Sequence, residues 1–378
     1  MFILLIFAEN TYMNRCIKSL FFVFLLLFLP TLLPANITFA EDGERSDVYL
    51  VYDEYGNFLM EKSSVQENDV FLASDFSEWR IIQVDGYYAI AIKEKNLDKP
   101  LVSLKKSVTQ KEENKKVCLY LTHNDESYIP SDGYYTIYGK GGVHDVAKCI
   151  KSKLEEKNID VTLDENLHIP HNSTAYTRSK VTAQKLQALE PDGLFDIHRD
   201  ATQRDIYYST CNGKEISKIR IVVGSSNPNF ENNYKFAQKV FAVGQAMYPG
   251  LFLDIYLGKG NYNQSLQEHA LLFEMGCHNI EKELVLNSVP MLSNVLDTVL
   301  YSCKNDTQGN IEIDENHIKE IDSSNQNNNE EFDENDKNLP KNEQKSAKNG
   351  FFLIILPIFI VLVAIISITN FIKKKTKK

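Results

Sequence analysis

The chain has 378 residues, 43% of them hydrophobic, and a formal net charge of -10 at pH 7. That length holds one large domain with a smaller companion, the apolar share suffices for true cores, and the negative balance excludes sequence-independent nucleic-acid binding. Six cysteines without paired short spacing exclude a disulfide scaffold or a structural zinc cluster; a single disulfide stays open.

Arg15 and Lys18 precede an apolar run over residues 20–33 and a small residue at Ala40. Residues 1–40 therefore read as a secretory signal peptide, or as an N-terminal anchor if cleavage fails. Residues 41–104 alternate as β-strands, with Asp85-Gly86 marking the clearest hairpin, and are expected to form a small all-β domain without chemistry of its own. A lysine-rich linker spans 105–116.

From residue 117 strands and helices alternate up to residue 304. Strands are expected at 117–121, 158–163, 193–198, 218–224, 251–257 and 271–276, and helices at 144–157, 175–189, 233–247 and 281–303. The pattern predicts an α/β fold: a three-layer, mostly parallel sheet with helices on both faces, joined by right-handed crossovers. Residues 305–350 are rich in Asn, Glu, Asp and Lys and are expected to be a disordered tether. The 22 residues of 351–372 carry no charge and suit a transmembrane helix, and the basic tail 373–378 orients it with the lysines in the cytoplasm. The body is then extracytoplasmic at the cell membrane.

Three strand ends carry the chemistry. The strand at 117–121 breaks into Thr122-His123-Asn124-Asp125-Glu126, which offers an imidazole and a carboxylate to one metal ion. The second ends Asp196-Ile197-His198-Arg199-Asp200, where His198 is a third ligand and Asp196, on the same side of the strand, is placed to orient it. The third ends Phe273-Glu274-Met275, and Glu274 supplies the carboxylate that takes a proton from water in zinc-assisted amide hydrolysis. One zinc ion held by His123, Glu126 and His198 is the expected cofactor. Arg199 and Asp200 either handle substrate or pair with each other. Arg178 suits a peptide carboxylate, and Asn263 falls in a separate polar cluster, Tyr262-Asn263-Gln264.

These residues resemble a known family. Thr122-His123-Asn124-Asp125-Glu126-Ser127-Tyr128, Tyr176-Thr177-Arg178-Ser179, Asp196-Ile197-His198-Arg199-Asp200-Ala201, Tyr262-Asn263-Gln264 and Phe273-Glu274-Met275-Gly276 together are similar to the stage II sporulation protein P family, over about residues 115–303. The resemblance implies the fold of zinc-dependent N-acetylmuramoyl-L-alanine amidases and peptidoglycan as substrate. It implies amidase and endopeptidase cleavage in septal-wall thinning and engulfment, beside the stage II sporulation proteins D and M. It assigns His123 and His198 as catalytic histidines and Glu274 as general base. In the related amidases the ligand glutamate opens the first helix, where this chain has His144, so Glu126 and His144 compete for that place and Glu126 is favoured. A C-terminal span departs from the family, whose anchor is usually N-terminal. Two other readings stay open: a wall-binding scaffold without catalysis, and a zinc carboxypeptidase acting on free peptides.

Overall fold

The structure, a computed structural model, describes residues 48–105, 114–305 and 310–330. The expected signal at 1–40, the membrane span at 351–372 and the basic tail at 373–378 lie outside these residues. The described residues up to Ile321 belong to one compact unit and those from Asp322 to a second.

Strands β1 Tyr49–Asp53, β2 Phe58–Lys62, β3 Val70–Leu72, β4 Ser77–Asp85, β5 Tyr88–Asn96 and β6 Val102–Lys105 come first. The hairpin β4–β5 turns at Gly86, whose φ of 56° is the left-handed value that such a turn requires. Strand β7 Lys116–Tyr120 then leads through a loop holding α1 Ile129–Asp132 to α2 Val143–Glu155 and β8 Asp160–Asp164. Next come α3 Ala175–Gln187, β9 Gly193–Asp200, α4 Arg204–Tyr207 and an unanticipated hairpin, β10 Tyr208–Cys211 with β11 Lys214–Ser217. Strand β12 Ile219–Gly224, α5 Phe230–Met247, β13 Phe252–Gly258, β14 Ala270–Cys277 and α6 Lys282–Tyr301 follow. The last described elements are β15 Cys303–Asn305, β16 Ile311–Asp314 and α7 Glu315–Glu330.

Eleven strands form one sheet in the order β2-β1-β5-β4-β3-β13-β12-β14-β9-β7-β8. From β13 to β8 every neighbouring pair is parallel except β12 with β14, so this half is the mostly parallel α/β sheet expected. Side chains alternate across it. Val117 and Leu119 of β7 join Val146, Ile150 and Leu154 of α2, Val240 and Phe241 of α5 and Leu292 of α6 on one face. Cys118 and Tyr120 face the other way, onto Ala183 and Leu186 of α3. Helix α6 is long and apolar enough to cross a membrane by composition, but 72% of that stretch is buried inside the fold, as befits a core helix.

The β region of 41–104 is not a separate small domain. Strand β3 is buried at all three residues and pairs antiparallel with β13, Leu72 opposite Ile255, so the N-terminal strands extend the main sheet. They also pack Val51, Met60, Phe71 and Ile81 against Val222, Tyr256 and Leu272 on the face that α3 leaves uncovered. The physical reason is size: about 55 residues of strand bury too little apolar surface alone and gain it by joining a larger sheet.

The expected linker and tether are corrected at their edges. Strand β16 pairs parallel with β6, Ile311 opposite Val102, and antiparallel with β15. Ile311, Ile313 and Ile321 are buried, and His317 Nε2 lies 3.0 Å from Thr298 Oγ1 of α6. The five cysteines of the described residues are all free.

A chain ended at residue 305 loses these three isoleucines, each contributing about 1.5–3 kcal/mol of burial as an upper figure. It should melt at least 5 °C below a chain ended at residue 330; equal melting temperatures would show that β16 and α7 add nothing to the body.

Candidate active site

An open cleft at the C-terminal ends of β7 and β9 is lined by His123, Glu126, Tyr176, His198 and Glu274, among others. Sheets of this kind leave strand ends free of crossover helices there, so side chains just past a strand project into the opening. His123 and Glu126 leave β7 on one turn, with His123 Nδ1 3.0 Å from Glu126 Oε1. His198 Nδ1 lies 3.4 Å from Glu126 Oε2. Ligand atoms of the three residues all fall within 4.8 Å of one another. Tetrahedral zinc bonds of about 2.0–2.2 Å place neighbouring donors roughly 3.3–3.5 Å apart, and the two contacts to Glu126, at 3.0 and 3.4 Å, lie near that spacing.

Local sequence fixes the turn that bears Glu126. Gly141 packs against it so closely that a Cβ there would sit 2.0 Å from the Glu126 carbonyl oxygen. Val143 N donates to that same oxygen at 3.1 Å, and Ser127 Oγ accepts from Gly142 N at 2.7 Å. The Glu126 carboxylate also accepts from Arg199 N at 3.0 Å. His198 Nε2 lies 3.1 Å from Asp196 Oδ1, and Asp196 accepts from Thr122 N and Thr122 Oγ1 at 2.9 and 2.6 Å.

The electrostatics of the cluster favour a cation. Burial works against ionising Glu126, yet His198 and His123 outweigh it and hold the carboxyl well below the usual carboxylate range. Burial likewise disfavours charge on His198, but Asp196 and Glu126 on either side raise it well above an ordinary histidine. A histidine forced toward its charged form between two carboxylates marks a spot of negative potential, which a divalent ion would neutralise.

Glu274 stands beside His198 in the β9–β14 register, so both side chains point to the same face. The ladder shifts between Glu274 and Cys277, with Gly276 at φ 74° and no room for a Cβ, which would lie 2.7 Å from Ser217 Oγ. Glu274 Oε2 is buried and has no hydrogen-bond partner among the described residues. Burial first, then the nearby Asp200 charge, pushes Glu274 up to about 7.

Other expectations are corrected. Arg178 does not face a substrate: it donates to the carbonyl oxygens of His168 and Pro170 and to Thr174 Oγ1, tying the loop before α3. Asn263 is buried and donates to Ser179 Oγ and Tyr176 O, two steps behind Asp196 through Thr122. Arg199 and Asp200 do not pair through their side chains. Arg199 donates to Ser127 O and Tyr135 O and pins the first loop, while Asp200 takes Arg220 Nη1 at 2.6 Å and Tyr207 Oη at 3.0 Å. His144 Nδ1 meets Glu165 at 2.9 Å while its Nε2 is buried without a partner among the described residues, and the residue is not in the cluster that contains Glu126.

Further residues line the cleft beside the expected ligands and base. His171 stacks on His123 with ring centroids 3.8 Å apart and meets Asp125 at 2.9 Å; Tyr176 stacks over His198 at 6.2 Å. His171 lies in the loop between β8 and α3, and Tyr176 in the first turn of α3. Lys62, at the end of β2, lies 3.8 Å from Asp200 Oδ1 and 3.9 Å from Glu274 Oε1, and no local pattern marked it.

His278 lines the same cleft, and its Nδ1 has no hydrogen-bond partner among the described residues. Burial, with the charge of Arg199 beside it, pushes the ring down to about 4. The unfolded chain takes up this proton near the ordinary value of about 6.5. The stability of the neutral ring is therefore full above that pH and is lost as pH falls toward 4. For this partly exposed ring the loss is about 1–2 kcal/mol. His278→Gln should shrink the gap between melting temperatures at pH 7 and pH 4.5, and an unchanged gap would sink the assignment.

The family model described as stage II sporulation protein P matches residues 59–297, a span that opens inside β2 and includes Lys62. Stage II sporulation protein P of Bacillus subtilis (strain 168) is 25% identical over 241 residues, covering 56% of this chain. The chain spans 60% of the length of that relative. Among solved structures, the N-acetylmuramyl-L-alanine amidase Ami1 of Mycobacterium smegmatis is 14% identical, with a TM-score of 0.35 over 49% of this chain and 96% of its own. An N-acetylmuramoyl-L-alanine amidase of Clostridium difficile 630 is 16% identical, with a TM-score of 0.32 over 49% and 94%. Overlap at that level assigns no residue a role. Since the matched family model covers well over half of its residues, the chain belongs to the stage II sporulation protein P family.

Proposed function

We propose that this chain is an extracytoplasmic zinc-dependent peptidoglycan hydrolase. It would cut the amide between muramic acid and the stem peptide, and also peptide cross-links, in septal-wall thinning and engulfment. The observation that carries the reading is the convergence of His123, Glu126 and His198 within 4.8 Å of one another, beside an unpartnered Glu274 oxygen in one cleft. Family membership supports the cell wall as substrate. The apolar run at 351–372 would hold the body at the membrane beside the family's stage II sporulation proteins D and M.

In this reading His123, Glu126 and His198 hold one zinc ion. Zinc so held would acidify water and polarise the scissile carbonyl. Asp196 Oδ1, 3.1 Å from His198 Nε2, would favour the ring orientation that turns Nδ1 toward Glu126, and Thr122 keeps Asp196 in place. Glu274 Oε2 is free to accept the proton that water gives up as its oxygen bonds to the carbonyl carbon. When the carbon–nitrogen bond breaks, the same oxygen returns that proton to the departing amine, leaving a carboxylate and a free amino group. A base pushed up toward neutral pH suits both halves of this transfer, since it neither holds the proton too tightly nor refuses it. A purely scaffolding role is disfavoured by the buried, partnerless Glu274 oxygen, which is costly to keep without a use.

The full-length chain incubated with purified sacculi should release stem peptides free of muramic acid, read by mass spectrometry. A chelator or His198→Ala should abolish release, and Glu274→Gln should slow it about 100- to 10,000-fold while zinc still binds. Release from soluble peptides but not from sacculi would favour a carboxypeptidase, and zinc-free binding without release would favour a scaffold.

A further inference from the structure

Lys62 belongs to β2, in the part of the chain where the sequence shows no chemistry, yet its ammonium ends at the cleft. It lies 3.8 Å from Asp200 Oδ1, 3.9 Å from Glu274 Oε1 and 4.9 Å from the centre of the Tyr256 ring. The residue is only 8% exposed, and a lysine is rarely kept that far from water without a carboxylate to meet it.

The two carboxylates differ in what else they have. Asp200 accepts from Arg220 Nη1 at 2.6 Å, Tyr207 Oη at 3.0 Å, Ala201 N at 2.8 Å and Ser63 Oγ at 3.2 Å. It is satisfied without Lys62. Glu274 has no other ion pair among the described residues, and its Oε2 has no hydrogen-bond partner there. What Lys62 alone supplies is therefore an attraction on Oε1, which leaves Oε2 as the free oxygen.

We propose that Lys62 is a positioning residue for the hydrolytic reaction: by drawing Glu274 Oε1 toward β2 it holds the carboxylate in the one orientation that presents Oε2 to the scissile bond. The N-terminal strands are then part of the catalytic apparatus, because β2 carries this lysine to the sheet through the β3–β13 pairing. The inference rests on Glu274 as the proton-transferring group.

The test uses full-length Lys62→Met, Lys62→Gln and Lys62→Arg. Each is compared with wild type for kcat and KM on solubilised peptidoglycan fragments, for zinc affinity by calorimetry and for the Glu274 position in zinc-loaded crystals. The neutral variants should lose about 10- to 100-fold in kcat with KM and zinc affinity unchanged and with the Glu274 carboxylate rotated. The arginine variant should recover to within about fivefold of wild type. Should Lys62→Met fail to fold, the polar Lys62→Gln carries the comparison. Full kcat in the neutral variants, an arginine variant no better than methionine, or an unmoved Glu274 overturns the proposal. If wild type binds zinc but hydrolyses nothing, the hydrolase reading fails, and the Glu274 position still decides what Lys62 does.

Discussion

Each carboxylate withdrawn from water needs positive charge or hydrogen-bond donors in return, and several gather in and just behind the cleft, among them Glu126, Asp196, Asp200 and Glu274. The returns are unequal. Asp196 has two donors from Thr122 and the His198 ring, and Asp200 has the Arg220 guanidinium with Tyr207. Glu126 has two histidines and one backbone N–H. Glu274 has one distant lysine. Negative charge is left over between Glu126, His198 and Glu274, and that surplus gives a cation and a proton a place to go.

The same demand ties the architecture together. Arg220 of β12 is fully buried and meets Asp254 of β13 at 2.7 and 2.9 Å, Asp200 of β9 at 2.6 Å and the Glu61 carbonyl of β2 at 3.2 Å. One guanidinium thus joins four strands, including one from the N-terminal set, and its planar fork suits several acceptors at once. Removing it would leave Asp254 buried without a charge partner and Asp200 with Lys62 alone, a loss of about 3–5 kcal/mol for a buried pair. The N-terminal strands are therefore bound to the sheet by apolar packing on Val222 and Tyr256 and by this polar knot under the site.

The parts of this site legible in the sequence are those written in local pattern. His123, Glu126, His198 and Glu274 each follow an apolar, β-prone run, so a strand end could be placed and its polar residues read as projecting from it. Residues whose meaning depends on distant partners could not be read that way. Arg178 looked like a carboxylate grip because the backbone carbonyls it serves come from a loop with no signature, and Asp200 looked paired with Arg199 because Arg220 is 20 positions away. Lys62 is 212 positions from Glu274, and a lysine closing a strand is ordinarily a solvated end. The Ile311-x-Ile313 alternation carried the signal for β16, but its polar setting between 305 and 330 masked it.

Two glutamates on one sheet end are driven in opposite directions, which gives the geometry chemical meaning. Glu126 stays ionised against burial because two imidazoles and an N–H face it, the state a metal ligand needs. Glu274, beside it in the register through His198, rises to about 7 because burial and Asp200 outweigh Lys62 and His198. When titratable groups are neighbours and their surroundings push them apart, the depressed one acts as a fixed charge and the raised one can trade protons. Lys62, 3.9 Å away, and His198 both work against that rise, so the raised carboxylate is set by burial and Asp200 against two cationic neighbours on the same sheet end.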